Sequence, residues 1–364
     1  MADGAAIPER EARALAMIER VRTRPRRFTD AQVTMAHGAG GKASRALVEG
    51  LLVPAFGSAA LERLDDAGIV TLNGAGLAVT TDTFVVTPLR FPGGSIGELA
   101  VNGTVNDLAV AGAAPVALTL SLVLEEGLAA DALRAEVGAI AAAARAAGVE
   151  IVAGDTKVVE RGRCDGMYVT TTGLGVPDPR AALAPDGLRP GDRVLVSGSI
   201  AEHGTAVMLA RGEFELDAAV ESDTRPLWPA VDALLDAAGS GLRAMRDATR
   251  GGVATVLNEL ARASGVAMVV DEARVSVQPA VAGACELLGI DPMYVANEGT
   301  LVAFVDPEAA GAALAALRGV PGCGAAAAIG EVKTEPPGMV LVDTAFGGRR
   351  VMDMLVGDPL PRIC

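Results

Sequence analysis

The order of strand-like and helix-like segments is the feature that most constrains how this chain can fold. Apolar runs at 68–72 and 77–81 flank Asn73-Gly74, a dipeptide typical of a two-residue β-hairpin turn. Helix-like segments follow at 95–110 and 131–147, with further strand-like runs between and after them. This pattern predicts an α/β (α+β) fold in which a mixed sheet contains antiparallel strands, rather than a series of βαβ units.

A segment rich in Pro, Gly and Asp, residues 176–192, divides the chain into two parts and is interpreted as an interdomain linker. A chain of 364 residues is long enough for two cores, and 51% hydrophobic residues with only 3% aromatic residues predicts aliphatic ones. The sequence therefore predicts an N-terminal domain at 33–178 and a C-terminal domain at 179–345. Residues 1–32 form an Arg-rich extension, and residues 346–364 are expected to be a mobile tail.

Charge and cysteine spacing exclude several classes of function. The formal net charge of −14 makes the chain a poor ligand for nucleic acids and for anionic membrane surfaces. No apolar run reaches the roughly 20 residues of a membrane span. The cysteines are widely spread, without a CxxC pair, which argues against structural zinc and indicates a reducing, cytoplasmic location. They are Cys164, Cys285, Cys323 and Cys364.

Acidic residues stand beside glycines or at the ends of apolar runs in the first domain. A buried carboxylate without a partner is unfavourable, so several such groups in one cleft indicate a cation between them, and Mg²⁺ prefers oxygen ligands. For any single residue, capping of a helix or turn is an equally good interpretation. The set as a whole favours a metal site. The predicted metal ligands are Asp65, Asp66, Asp82, Asp107 and Asp155.

Glycine-rich segments supply backbone N–H groups of the kind that bind phosphates. The loop 37–42 contains Gly40 and Gly41, but its spacing matches neither a Walker A motif nor a GxGxxG motif. The segment 246–252 precedes a predicted helix, which Thr249 or Asp247 is expected to cap, leaving the helix N-terminus open to an anion. These segments could be ordinary turns, but together with the acidic residues they indicate a site between the domains.

Three further residues stand out for their chemistry. Lys157 is one of only three lysines and lies two residues after Asp155, so it is a candidate phosphate ligand or base; the alternative is a solvated surface lysine. Glu298 lies in a predicted turn before a strand. Cys364 ends the chain after Pro359 and Pro361, which favour an extended segment, although a frayed terminus is the simplest interpretation of such an end.

Taken together, these segments resemble the HypE family of hydrogenase maturation factors, the carbamoyl dehydratases of nickel–iron hydrogenase assembly. That family belongs to the PurM-like superfamily of aminoimidazole ribonucleotide synthetase and selenophosphate synthetase. The terminal Pro-Arg-Ile-Cys makes the resemblance specific, since other ATP-binding relatives are not expected to end in it. The matching segments, in family order, are 37–41, 80–89, 91–97, 103–108, 124–127, 154–159, 247–252, 284–289, 296–299 and 360–364.

The resemblance implies a two-domain PurM-like fold, a homodimer, ATP and Mg²⁺ as cofactors, and an ATP-binding N-terminal domain. It implies that Cys364 carries the reacting group, with Lys157 and Glu298 as candidate bases. The positions carried over as cofactor-binding are Gly40, Gly41, Thr81, Asp82, Asn106, Asp107, Asp155, Thr156, Asp247 and Thr249.

The implied reaction begins when HypF transfers a carbamoyl group, originally from carbamoyl phosphate, to the thiol of Cys364. ATP then activates the carboxamide oxygen, loss of phosphate leaves a thiocyanate, and the cyano group passes to iron on a HypC–HypD complex. The alternatives are another PurM-like enzyme, such as a selenophosphate synthetase or a small-molecule kinase, and a non-catalytic ATP-binding adaptor. A selenophosphate synthetase would need a cysteine near the Gly-rich loop, and none precedes Cys164.

Overall fold

The computed structural model describes residues 27–212, 219–355 and 362–364, so most of the predicted Arg-rich extension lies outside the described residues. Within those ranges, the chain forms two mixed β-sheets, one in each half, together with a short two-stranded ribbon of β3 (Arg90–Phe91) and β4 (Gly94–Ser95). No helix in the described ranges is long and apolar enough to span a bilayer.

The first sheet has five strands within the described residues, in the order β1-β2-β7-β5-β6. Its strands are β1 (Gly68–Leu72), β2 (Ala75–Phe84), β5 (Ala113–Glu125), β6 (Glu150–Val159) and β7 (Met167–Pro177). Only β5 and β6 pair in parallel, and the other neighbours are antiparallel. The predicted mixed sheet with antiparallel strands is therefore confirmed, including the hairpin at Asn73-Gly74.

The first half also contains several helices. They are α1 (Lys42–Leu47), a π-helical turn (Val48–Leu52), α2 (Val53–Phe56), α3 (Ala59–Glu62), α4 (Ile96–Val110) and α5 (Ala130–Ala147), after a 3₁₀ turn at Met35–Gly38. Helix α4 has the predicted bounds and follows Ser95, and α5 ends at Gly148 in the left-handed conformation typical of helix C-termini.

Helix α4 is buried nearly all round because it lies between three layers. It packs on the first sheet and on α5, and it also contacts α7 and β9 of the second half, defined below. Leu99, Val101, Val105 and Leu108 on it are at most 1% exposed. A helix that is apolar on every side must be surrounded in this way. Helix α4 therefore carries its polar residues into the contact between the two halves.

The second sheet has seven strands within the described residues, in the order β14-β13-β10-β12-β8-β11-β9. They are β8 (Arg193–Val196), β9 (Leu242–Asp247), β10 (Ala267–Asp271), β11 (Leu301–Val305), β12 (Ala327–Lys333), β13 (Val340–Asp343) and β14 (Arg349–Met352). The α-helices of this half are α6 (Glu202–Ala210), α7 (Trp228–Ala238), α8 (Gly252–Ala263), α9 (Pro279–Leu288) and α10 (Ala310–Gly319). Short 3₁₀ turns occur at Gly239–Gly241, Glu272–Arg274 and Pro292–Tyr294.

Strand β14 corrects the expectation of a mobile tail from residue 346. Residues 349–352 pair antiparallel with β13 and complete the edge of the second sheet. Just beyond them, Asp353 bridges Lys42 of the first half and Arg262 of the second, at 2.7 Å in each case. The terminal segment therefore leaves the second sheet only after it has helped to join the two halves.

Candidate active site

Three carboxylates from three different elements converge between the halves of the molecule. Asp66 lies just before β1, Asp107 lies on α4, and Asp247 is the last residue of β9. One oxygen of each lies within 4.8 Å of the others. Helix α4 brings Asp107 to this point because it contacts both β2 and β9. The structure thus selects Asp66, rather than its neighbour Asp65, for the cluster.

The surroundings of these carboxylates favour the binding of a positive ion. Burial raises the pKa of Asp107 well above its usual range, and repulsion from Asp82 and Asp247 adds to the effect. Burial, with repulsion from Asp66 and Asp82, raises the pKa of Asp247 to about 8. Burial also raises the pKa of Asp66, although Arg246 opposes it. Three oxygen ligands whose charges repel one another in a poorly hydrated site are a donor set suited to Mg²⁺.

Two polar groups orient the cluster. The hydroxyl of Thr80 donates a hydrogen bond to Oδ2 of Asp107 at 2.8 Å, and Arg246 binds Asp66 and the carbonyl oxygen of Leu64. Thr80 lies on β2, whose even-numbered residues face α4. The arrangement therefore depends on the alternation of side chains along that strand.

Arg250 connects the acidic region to the end of the chain. Its guanidinium lies 3.9 Å from Asp82, the next β2 residue on the face of Thr80. The negative charge of Cys364 raises the pKa of Arg250, burial opposes this, and Asp82 and Glu298 contribute in the same direction as Cys364. Arg250 is thus a fixed positive charge between the carboxylates and the terminal residue.

Cys364 borders a cavity of about 380 Å³ that Arg250, His37, Thr83 and Tyr294 also line. The backbone N–H of Val85 donates a hydrogen bond to the carbonyl oxygen of Cys364 at 3.2 Å. None of the four cysteines forms a disulfide. The terminal residue is therefore seated against the end of β2 in the described structure, and is not a frayed end.

Glu298 reaches the same region from the second half. It is only 3% exposed, and its backbone N–H is held by Oδ1 of Asp223 at 2.9 Å. Its Oε2 lies 3.7 Å from the point where a side chain at Gly103 of α4 would begin. Burial raises the pKa of Glu298 well above its usual range, with Asp247 and Asp223 adding to the shift and Arg250 opposing it.

The Gly-rich loop packs directly against the turn that carries Arg250. Gly40 has φ of +74°, and a Cβ there would lie 2.9 Å from both Cβ and the carbonyl oxygen of Arg250. Gly41 precedes α1 as its N-cap. Any other residue at position 40 would adopt a strained left-handed backbone conformation, and its Cβ would clash with Arg250. Glycine is therefore required for the two loops to meet.

The predicted cap of helix α8 is wrong. Helix α8 begins at Gly252 as predicted, but its N-cap is Gly251, with φ of +76°. Asp247 ends the preceding strand and is committed to the carboxylate cluster, and the carbonyl oxygen of Thr249 accepts a hydrogen bond from Gly252 at 2.8 Å. A glycine cap places no side chain of its own over the helix N-terminus, and Gly252 itself packs closely against the carbonyl groups of Met293 and Val295.

Asp155, Thr156 and Lys157 are not brought to the cluster within one chain. They lie in the middle of β6, not after a strand as predicted, and every residue of β6 from 150 to 158 is exposed. Oδ2 of Asp155 pairs with Nζ of Lys157 at 2.8 Å. That contact, with a hydrogen bond from the Thr156 N–H, lowers the pKa of Asp155, the opposite of the shift in the cluster.

The register of the sheet explains why Asp155 is separated from Asp82. Asp155 aligns with Thr83 through Ser121 and Thr170, so Asp155 and Thr83 share one face of the sheet. Asp82 points to the other face, toward α4. Strands β2 and β6 are also three positions apart, which corresponds to about 14 Å. The expectation that Asp155 joins Asp82 and Asp107 around one metal is therefore wrong for a single chain.

Three other predicted residues have different surroundings from those expected. Asp65 is paired with Arg63 at 2.8 Å. Thr81 is exposed on the face of the sheet opposite the cluster. Asn106 is 1% exposed: its amide donates to the carbonyl of Arg225 at 3.0 Å and accepts from the N–H of Leu227 at 2.7 Å. Asn106 therefore joins α4 to the second half and has little capacity left for a nucleotide.

Sequence reasoning missed the arginines that organise the site. Arg246 and Arg250 flank Asp247 in the segment that had been singled out for its glycines. The signal that the sequence offers for these two residues is their position on either side of Asp247. What the sequence could not show is that Arg246 turns toward Asp66 and Arg250 toward Asp82 and the chain terminus.

Comparisons with known proteins agree with this architecture. The AIR synthase related protein family matches in both its parts: the N-terminal domain over residues 64–176 and the C-terminal domain over residues 189–343. Carbamoyl dehydratase HypE of Rhodobacter capsulatus is 49% identical over 338 residues, which cover 92% of this chain and 99% of that protein.

Solved structures of HypE are similar as well. A HypE–HypF complex matches with a TM-score of 0.81 at 41% identity, covering 85% of this chain and 100% of that one. HypE in complex with ATP matches with a TM-score of 0.77 at 44% identity, covering 92% of this chain and 100% of that one. The predicted two-domain PurM-like fold is confirmed by these matches. The chain belongs to the carbamoyl dehydratase HypE family.

Proposed function

We propose that this chain catalyses the ATP-dependent dehydration of an S-carbamoyl group on Cys364 to a thiocyanate, which serves as the cyanide donor in nickel–iron hydrogenase maturation. The observation that carries the proposal is the seating of Cys364 beside Arg250, whose guanidinium also faces Asp82 and Glu298. Family membership gives the reaction class, and the docked terminus supplies the substrate within the protein itself.

The balance of the reaction defines what the site must do. The carboxamide carbon loses its oxygen and gains two further bonds to nitrogen. The oxygen leaves in inorganic phosphate after it has taken up the terminal phosphoryl group of ATP, and both N–H protons are lost. Oxygen in an amide is a poor leaving group, whereas phosphate is a good one. The protein must therefore hold the terminal residue, neutralise phosphate charge and accept protons.

Arg250 and the Gly-rich loop suit the phosphate side of this chemistry. Arg250 is a permanent cation that borders the cavity, with about half of its side chain exposed. Gly40 packs beside it, with its N–H donating to Oγ of Ser44 at 2.9 Å, and Gly41 is the N-cap of the helix that follows. We assign these residues and the N-terminus of α8, with Thr249, to nucleotide binding.

Glu298 is the proposed base. A carboxylate whose pKa is raised by burial accepts a proton at neutral pH far better than an ordinary one, and Glu298 is shifted in that direction. Asp247 and Arg250 both act on its charge, the first raising the pKa and the second lowering it. Lys157 is the second candidate base, on the condition discussed below.

The carboxylate cluster fits Mg²⁺. Asp66, Asp107 and Asp247 would be its ligands, with Asp82 close by; among the described residues they are the group of three whose oxygens approach one another closely enough. When bound, the ion would neutralise charge on the phosphates of ATP. Asp65 is less suited because its partner is Arg63.

A homodimer would give the exposed sheet face a role. The face that carries Thr83 and Asp155 also presents Val70, Leu72 and Val176, which are 47%, 62% and 54% exposed. The adjoining edge strand β6 has unpaired backbone groups along its outer side, as edge strands do. We propose that a second copy packs on this face, which would place Asp155, Thr156 and Lys157 at the interface rather than in water.

Partners follow from the substrate chemistry. The carbamoyl group must be delivered to Cys364 by a donor enzyme, and HypF is the proposed donor because a relative forms a HypE–HypF complex. The HypC–HypD complex is the proposed acceptor of the cyano group, on the basis of the family resemblance alone.

The function is tested by replacing the acceptor. In Cys364→Ala, incubation with HypF, carbamoyl phosphate and ATP should give no carbamoyl or cyano adduct, whereas nucleotide binding should persist. Cys164→Ala is the matched control, because it removes a buried thiol of the first half by the same substitution, and it should react like the unmodified chain. An adduct on another cysteine of Cys364→Ala, found by intact mass and peptide mapping, would overturn the assignment.

A further inference from the structure

The last three residues are held by their backbone carbonyl groups. Nη2 of Arg211 donates to the carbonyl of Arg362 at 2.5 Å, and Nε2 of His203 contacts the carbonyl of Ile363 at 2.7 Å. The N–H of Val85 donates to the carbonyl of Cys364 at 3.2 Å. Three successive acceptors are thus met by three donors from separate parts of the folded protein.

Side chains of the terminal segment reinforce this placement. Ile363 is 6% exposed and joins the largest hydrophobic core, which contains residues of both halves. The side chain of Arg362 pairs with Asp165, in the loop before β7. The contacts of residues 362 and 363 and of the Cys364 carbonyl thus hold the segment through atoms other than the sulfur.

His203 is built to donate to the terminal segment. A carbonyl oxygen only accepts hydrogen bonds, so Nε2 must carry the proton, and Nδ1 is left to accept from the hydroxyl of Ser222 at 2.8 Å. The ring is fully buried and packs edge-on against Phe91, with ring centroids 5.4 Å apart. A buried imidazole with one N–H directed at a chain terminus 160 residues away is more than a core side chain requires.

Arg211 is equally restrained. Its Nε donates to the carbonyl of Thr87 at 2.9 Å, while Nη2 donates to that of Arg362. The planar guanidinium thereby bridges the body of the first half and the terminal segment. Because both donors are held in place by other contacts, little conformational freedom is lost when the segment docks.

We propose that His203 and Arg211 are positioning residues that form a dock for the backbone of residues 362–364 and so place the Cys364 sulfur for dehydration. This inference rests on the proposed function. The dock holds the segment through its backbone carbonyl groups and the buried Ile363 side chain. We therefore expect it to accept the thiol, the carbamoyl and the cyano forms of Cys364. A donor enzyme, by contrast, has to reach the sulfur, and it does so most easily when the segment is undocked. Weakening the dock should then slow dehydration without slowing carbamoylation.

The dock is tested first by alkylation of Cys364, which does not depend on catalysis. Iodoacetamide modification of the C-terminal peptide is followed by mass spectrometry in unmodified chain, His203→Ala and Arg211→Ala. Loss of one hydrogen bond should raise the modification rate about three- to tenfold. His203→Gln retains an N–H donor and should give a smaller increase. Arg318→Ala is the matched control, because Arg318 donates to the carbonyl of Ala326 in the same way, and it should leave the rate unchanged.

The second measurement follows the two reactions separately. In His203→Ala and Arg211→Ala, carbamoylation of Cys364 by HypF should proceed at least as fast as in the unmodified chain, whereas single-turnover dehydration should be about three- to tenfold slower. A general loss of structure would slow both. Unchanged alkylation and dehydration in folded His203→Ala and Arg211→Ala would overturn the dock. Failure of the unmodified chain to dehydrate would count against the proposed function instead, and the alkylation rates would still decide the dock.

Discussion

At the scale of single residues, the site is a set of like charges held together by its surroundings. Asp66 and Asp107, which are partly buried, and Asp247, which is buried, repel one another, and Arg246 and Thr80 relieve only part of that repulsion. These carboxylates therefore lower the free energy of unfolding compared with neutral side chains. Such a loss of stability indicates that the residues serve a function.

Replacing Asp247 by Asn should stabilise the metal-free protein at neutral and alkaline pH. The folded-state pKa of about 8 lies far above the ordinary 3.8, so the folded state keeps a proton that the unfolded state has lost between these values. Stability from this group is fully present below the unfolded value and is lost as pH rises toward 8. Urea unfolding in EDTA should thus show a gain for Asp247→Asn of at least about 1 kcal/mol at pH 8, and a smaller gain at pH 5.

Magnesium should make the unmodified chain more stable than Asp247→Asn. At about a hundred times its dissociation constant, Mg²⁺ should raise the unfolding free energy of the unmodified chain by about 2.7 kcal/mol. Asp247→Asn should gain much less because a ligand is missing, whereas Asp65→Asn, one residue away from Asp66 but outside the cluster, should gain nearly the full amount. Equal gains in unfolding free energy for both variants would show that the metal does not bind at this cluster.

Glu298→Gln should slow dehydration by about 10²- to 10⁴-fold, the usual range for loss of a positioned base. Carbamoylation of Cys364 should be unaffected, because proton abstraction by Glu298 belongs only to the later step. The carbamoylated protein would then accumulate, and intact mass during turnover measures it directly. A normal rate of cyano formation would transfer the role to another group, with Lys157 the first to examine.

At the scale of elements, the meeting of two loops sets the geometry. Gly40→Ala should destabilise the protein by at least about 1–2 kcal/mol, since it combines a left-handed backbone with a 2.9 Å approach to Arg250. Gly38→Ala is the matched control: nothing lies within 4 Å of its added Cβ, and its φ is not left-handed. Thermal unfolding of the two variants, with the dehydration rate of each, separates loop packing from a general effect of alanine.

Elements with clear boundary residues could be predicted from the sequence, and others could not. Ser95 and Gly148 marked the limits of α4 and α5. The sequence pattern does not reveal strand β14, Arg349–Met352, because the strand begins with two arginines and follows the glycines at 347 and 348. Strand β6 was found but given the wrong end, because Gly154 and Asp155 resemble a strand terminus although pairing with β5 continues to Val159.

The candidate site was predictable as a set of residue types but not as a geometry. Acidic residues beside glycines indicate a cation site. Of the predicted residues, Asp66, Asp107 and Asp247 form the cluster, and Asp82 is close enough to affect the pKa values of Asp107 and Asp247. Which face of the sheet each one occupies depends on register, and a pattern of single residues does not reveal register across five strands. For this reason the sequence pattern groups Asp155 with Asp82, and it presents Asn106, which joins the two halves, as a nucleotide ligand.

At the scale of the whole molecule, the exposed sheet face predicts assembly. Val176→Glu should shift the proposed dimer toward monomer by at least about tenfold in dissociation constant, because a charge would be buried in an apolar contact. Val351→Glu is the matched control, with 52% exposure against 54%, but on the second sheet. Sedimentation of both variants should show dissociation only for Val176→Glu. If neither changes the molar mass of a dimer, the interface lies elsewhere.

The two halves, the terminal segment and the acidic cluster together describe an enzyme whose substrate is its own last residue. The most direct test is the mass of the C-terminal peptide when ATP and Mg²⁺ are added to protein already carbamoylated on Cys364. Loss of one water from that peptide, to leave a cyano group in place of the thiol hydrogen, with release of phosphate, is the predicted result. ATP hydrolysis with the carbamoyl peptide unchanged, or return of the unmodified thiol, would contradict it.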